Sequence, residues 1–84
     1  MRILPGDPNK QSLKERGLTF EMILESIDAG GLVDVLPDKS HPGRVVLAVE
    51  IEGYVHAVPC ELRGPDLRMI TAFPSRKLQK AYRS

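Results

Sequence analysis

The sequence predicts an α+β domain over residues 1–84, with two N-terminal helices packed on an antiparallel sheet of about four strands and a short helix closing the chain. Three observations carry this prediction. Phe20, Ile23, Leu24 and Ile27 recur at i, i+3, i+4 and i+7, the spacing of a single helix face. Two apolar runs, residues 44–51 and 54–62, flank Glu52-Gly53, which has the composition of a two-residue hairpin turn. Pro74-Ser75 then separates the last apolar run from residues 76–82, a basic segment of helix-forming composition.

Each element has its own local signal. Asp7-Pro8 marks a helix start, a capping carboxylate followed by a proline whose missing N–H costs nothing in the first turn, so a helix is expected over residues 9–15, stopping at Gly17. Thr19 is the expected cap of the second helix, which Gly30-Gly31 ends. Its Glu21, Glu25 and Asp28 lie off the apolar stripe and read as a solvated face. Residues 32–36 form a short strand, and the breaker-rich residues 37–43 a loop. Arg63-Gly64-Pro65-Asp66 is a second turn, leading to a strand over residues 67–73 that Pro74 terminates. Ser75 caps the last helix. A first strand ahead of Asp7 is optional in this pattern.

The formal net charge of +1 conceals a polarised chain. Residues 63–84 hold six cations (Arg63, Arg68, Arg76, Lys77, Lys80 and Arg83) against Asp66 alone, a balance of +5, whereas residues 17–62 sum to −6. Such a field attracts a polyanion to one end. No apolar run approaches the roughly 20 residues needed to cross a bilayer, and Pro5, Gly6 and Pro8 interrupt the N-terminus, so a soluble, cytoplasmic protein is expected. The single cysteine, Cys60, excludes an internal disulfide, and no His, Cys or carboxylate spacing is of metal-ligand type. No metal or cofactor is therefore expected. Gly30-Gly31 lacks the lysine and helix of a phosphate-cradling loop.

Strand register turns the charge pattern into a candidate site. A two-residue turn at Glu52-Gly53 pairs Ile51 with Tyr54 and hence Val45 with Cys60 and Arg44 with Glu61, while the second turn pairs Glu61 with Arg68. Residues directly opposite share a face. One face then collects Val45, Leu47, Val49, Ile51, Val58, Cys60 and Met69 for the helices to cover, and places His56 with them. The other carries Arg44, Glu50, Glu61 and Arg68. Arg44, Glu61 and Arg68 form one row across three strands. This row reads either as an ordinary cross-strand ion-pair ladder or as a phosphate-binding face, where guanidinium forks bind a phosphate and a carboxylate exchanges a proton. Arg76 and Lys77 lie on the helix that follows the same sheet. Tyr82 is open to two roles, packing the helix or stacking a base. His41 reads as a loop residue.

Three stretches resemble the BrnT-type ribonuclease toxins of bacterial type II toxin–antitoxin systems, which have a RelE-like fold. Asp7-Pro8-Asn9-Lys10 and Lys14-Glu15-Arg16-Gly17-Leu18-Thr19-Phe20-Glu21 resemble that family's opening helix and the turn into its second. Arg44-Val45-Val46-Leu47-Ala48-Val49 resembles its arginine-led central strand. Arg68-Met69-Ile70-Thr71-Ala72, with Ser75-Arg76-Lys77 and Tyr82, resembles its last strand and the segment after it. Arg16 stands where the family pattern has histidine, Pro5-Gly6 replaces an aromatic residue, and Phe73-Pro74 is inserted before Ser75. The resemblance implies metal-independent cleavage of messenger RNA, free or on the ribosome, and neutralisation by an antitoxin of the ribbon-helix-helix type. Joined to the register and charge pattern, this expectation puts Arg44, Arg68 and Arg76 on the scissile phosphate with Lys77 assisting, makes Glu61 the base ahead of His56, and gives RNA binding to Lys77, Lys80, Tyr82 and Arg83. A non-catalytic RNA- or protein-binding module of the same fold is the alternative.

Overall fold

Two short turns fix the register of the sheet. In the computed structural model, which describes residues 2–7 and 11–83, Glu52 and Gly53 both have positive φ, 51° and 82°. That is the geometry a two-residue hairpin needs to follow the twist of its strands. The turn joins β3 (Arg44–Ile51) to β4 (Tyr54–Arg63) with Ile51 opposite Tyr54 and Arg44 opposite Glu61, as the turn spacing predicts. Gly64, with φ of 58°, opens the second turn into β5 (Asp66–Met69), and Glu61 lies opposite Arg68.

The sheet is larger than the sequence predicts, and it is mixed. Its six strands run β1-β5-β4-β3-β2, where β1 is Ile3–Leu4 and β2 is Leu32–Pro37, with β6 (Phe73–Pro74) also on β4. β1 pairs in parallel with β5, Ile3 opposite Leu67, and the Leu67 amide donates to the Arg2 carbonyl at 2.9 Å. The expected continuous strand over residues 67–73 is broken. Met69 faces Cys60 and Phe73 faces Ala57, so three residues, 70–72, oppose two on β4. This one-residue bulge reverses the alternation, sending the fully buried Ala72 into the core and Phe73 to the opposite face.

The helices divide between the two faces. α1 (Gln11–Glu15) and α2 (Phe20–Ser26) cover one of them. The predicted start of α1 at Pro8 to Lys10 lies outside the described residues. Thr19 caps α2 as expected, its hydroxyl accepting the Met22 amide at 3.1 Å. A π-helical turn, Ile27–Gly31, carries the chain into β2, with Gly30 at φ of 93°. Leu13, Leu18, Phe20 and Ile23 meet Leu47, Val49, Ile51, Val58, Cys60, Leu67 and Met69 in one apolar cluster. Burying a leucine or isoleucine there contributes about 1.5–3 kcal/mol each. Gly6 lets the N-terminal segment cross this layer: a Cβ would sit 2.0 Å from the Met69 carbonyl oxygen and 2.9 Å from the Phe20 ring.

α3 (Arg76–Arg83) crosses the other face at its hairpin end. Ser75 caps it, accepting the Leu78 amide at 3.2 Å, and its own amide bonds the Val55 carbonyl at 3.1 Å. Gln79 accepts the Val55 amide at 2.9 Å, Tyr82 donates to Asp34 on β2 at 2.7 Å, and Arg83 bonds Glu50 on β3. Ala48, Val55 and Ala57 are buried on this face. The helix therefore lies over the sheet, not along its edge, and among the described residues no helix covers the opposite end of that face.

Candidate functional site

The uncovered end of the sheet carries the charged row. Glu61 on β4 is the direct cross-strand neighbour of both Arg44 on β3 and Arg68 on β5, because two tight turns hold three consecutive strands in one register. With Asp7, Met69 and Ile70 they line a shallow depression of about 230 Å³. Arg68 Nη1 stands 3.9 Å from Glu61 Oε1, and the two side chains are 43% and 31% exposed. The ion pair is thus wet, worth about 0–1 kcal/mol to the fold, and the guanidinium is available to a ligand.

One participant is missing from the sequence reading. Arg63 donates from Nε (3.1 Å) and Nη2 (2.9 Å) to the same Glu61 Oε1 that faces Arg68. The alternation of strand side chains places residues 61 and 63 of β4 on one face, so the signal was present. It was masked because Arg63 sits at the strand's last position and reads as part of the turn. Asp7, expected only as a helix cap, also lines the depression. Beyond Arg63, Asp66 is bonded by the Arg2 backbone amide at 3.1 Å and by the Arg2 guanidinium at 3.2 Å. The amide bond is the larger cause holding the Asp66 carboxyl below its ordinary range.

The structure brings Arg44, Glu61 and Arg68 together but does not bring Arg76 to them. Val55, which anchors the start of α3, is six residues along β4 from Glu61, about 20 Å of strand. Arg76, Lys77 and Lys80 are exposed at the far end of the same face. Tyr82 and Arg83, expected to contact RNA, are engaged with acidic residues of the sheet instead: Tyr82 with Asp34, Arg83 with Glu50. The Tyr82 bond holds the Asp34 carboxyl below its usual range, helped by the Val35 amide, and raises the Tyr82 phenol above its ordinary value.

Other candidate groups are occupied elsewhere. His56 is on the face that α1 and α2 cover, 9% exposed, with Nδ1 2.8 Å from the Tyr54 carbonyl, so it does not reach the depression. His41 stays in its loop, 3.4 Å from Asp38. Burial pushes the Cys60 thiol up to about 12, so the thiolate needed for nucleophilic attack is not formed at neutral pH. Among the described residues, no group of three or more His, Cys, Asp or Glu side chains could hold a metal ion. No helix among them is long and apolar enough to cross a membrane.

The chain matches no protein-family model, no curated protein and no solved structure at a significant level. What the row can do is therefore read from its own chemistry. Guanidiniums on both sides of one carboxylate, in a shallow, solvent-exposed depression, suit a phosphodiester whose charge they neutralise while the carboxylate handles a proton.

Proposed function

We propose that this protein is an RNA-cleaving toxin of the BrnT type with a RelE-like arrangement, paired with a ribbon-helix-helix antitoxin in a bacterial type II system and acting in the cytoplasm on messenger RNA. The observation that carries the reading is the Arg44–Glu61–Arg68 row, which stands free of α3 at the uncovered end of the sheet. Arg44 and Arg68 bind the non-bridging oxygens of the scissile phosphate. Glu61 takes the proton of the adjacent ribose 2′-OH, the 2′-oxygen bonds to phosphorus, and the bond from phosphorus to the 5′-oxygen breaks. The leaving oxygen is protonated from water, to which the depression is open. The fragments end in a 2′,3′-cyclic phosphate and a 5′-hydroxyl. Charge that builds on the phosphoryl oxygens is met by guanidiniums already in place, the usual source of large rate gains at such centres. Arg63 orients Glu61 through its two bonds to Oε1.

The alternative is a non-catalytic module that docks RNA or an acidic protein on the same face. Its supporting observation is that Glu61 Oε1 already serves Arg63 and Arg68 as counter-ion. Expression of Arg68→Ala in a bacterial host separates the readings. A folded Arg68→Ala protein that no longer arrests growth, beside an arresting wild type, supports the enzyme. Undiminished arrest by a folded Arg68→Ala protein rules out this site.

A further inference from the structure

Between the charged row and α3 the same face of the sheet presents an aromatic ring. The strand rows on this face follow in order from the hairpin: Glu50 opposite Val55, Ala48 opposite Ala57, Val46 opposite Pro59, and Arg44 opposite Glu61. Phe73 is opposite Ala57 and so shares its face, where it is 37% exposed. It is there only because the bulge at residues 70–72 reverses the alternation of the last strand; an unbroken strand would turn Phe73 toward the helices. Glu61 lies four positions along β4 from Ala57, about 13 Å. On the other side, α3 begins three residues after Phe73 and exposes Arg76, Lys77 and Lys80.

Charge, ring, charge is the arrangement of a single-strand nucleic-acid track, in which cations follow the backbone and an aromatic takes a base. The geometry points to Phe73 as a base-stacking platform of the RNA strand, which runs from the Arg44–Glu61–Arg68 depression over Phe73 to the cations of α3. The stacked base lies within about four nucleotides of the scissile phosphate, since 13 Å corresponds to about four steps at the stacked spacing of ~3.4 Å and to fewer in an extended strand. Pro59 and Val46, both half-buried, form the apolar floor between ring and row. Arg76, placed with the catalytic residues by resemblance, becomes a strand-holding cation at the distal end of this track. This inference rests on the RNA reading above.

The test is binding of a fluorescein-labelled 2′-O-methyl RNA octamer, which has no free 2′-OH and so is not cleaved. Wild type, Phe73→Ala, Phe73→Leu and Phe73→Tyr are compared over a salt series. Loss of one stacked base weakens affinity about 5- to 150-fold, and this is expected for alanine and leucine, with tyrosine close to wild type. The slope of log affinity against log salt stays unchanged, because no cation is removed. An abasic nucleotide at the stacked position reproduces the loss in the wild type. Should Phe73→Ala fail to fold, the leucine and tyrosine variants decide between packing and stacking. A leucine variant that binds like wild type overturns the assignment of Phe73 alone. A wild type that neither binds the octamer nor cleaves RNA strikes the RNA reading itself.

Discussion

Removing the Arg68 guanidinium should change the salt dependence of RNA binding by a calculable amount. On the RNA-facing side the exposed or half-exposed cations are Arg76, Lys77 and Lys80 on α3 and, in the row, Arg44 and Arg68, the last held to Glu61 only by a long, solvent-exposed 3.9 Å pair that a phosphate can replace. Arg63 is committed to Glu61 and Arg83 to Glu50. Five phosphate contacts on a single strand give a log–log slope of about −3.5, at roughly −0.7 per contact. Between ~50 and ~200 mM salt, the wild type should then lose affinity by about 100-fold, and Arg68→Ala, with a slope of about −2.8, by about 50-fold. Arg83→Ala should leave the slope where it was. Fluorescence anisotropy with the 2′-O-methyl octamer measures all three. Because the Arg68–Glu61 pair is exposed, its removal costs the fold about 1 kcal/mol at most, so a urea melt should place the variant beside the wild type. An Arg68→Ala slope identical to that of wild type, in a folded protein, would refute the assignment of Arg68 to a phosphate.

Two further outcomes test the scaffold that presents the site. Tyr82→Phe should lower the urea midpoint by releasing the end of α3 from Asp34. Because the folded-state phenol titrates above its unfolded value of about 10, the stabilisation it gives is complete below that pH and lost as pH rises through the folded value. The wild type should therefore lose stability above pH ~10 more steeply than Tyr82→Phe, as urea melts at mildly and strongly alkaline pH would record. Gly6→Ala forces a Cβ to within 2.0 Å of the Met69 carbonyl oxygen. Overpacking of this kind costs about 1–3 kcal/mol, a drop in Tm of about 4–8 °C per kcal/mol in a domain of this size, readable by circular dichroism.

Much of the sheet was legible because its turns are encoded in adjacent residues. Glu52-Gly53 and Gly64-Pro65 set the pairings of β3, β4 and β5, and with them the juxtaposition of Arg44, Glu61 and Arg68. Thr19 and Ser75 likewise announced their helices through a local hydroxyl bond. What the sequence hid was non-local. The pairing of β1 beside β5 joins residues more than sixty apart and has no short-range signal. The bulge at residues 70–72 carries no glycine, so the strand read as continuous and Phe73 was given no role. The path of α3 across the sheet is set by Tyr82 with Asp34 and Arg83 with Glu50, bonds that convert two apparent RNA contacts into anchors and leave Arg76 remote from the row. The mixed six-stranded sheet, in place of about four antiparallel strands, follows from these same long-range pairings.

The cleavage reaction itself is tested most directly by the ends of the RNA it leaves. Purified protein is incubated with messenger RNA, free and on ribosomes, with a chelator present, and the fragment termini are characterised. The predicted result is a 2′,3′-cyclic phosphate with a 5′-hydroxyl, produced by wild type and reduced about 10²- to 10⁴-fold in a folded Glu61→Gln protein, the range for losing a general base. Intact RNA in both settings, or 5′-phosphate ends that require a metal, would contradict it.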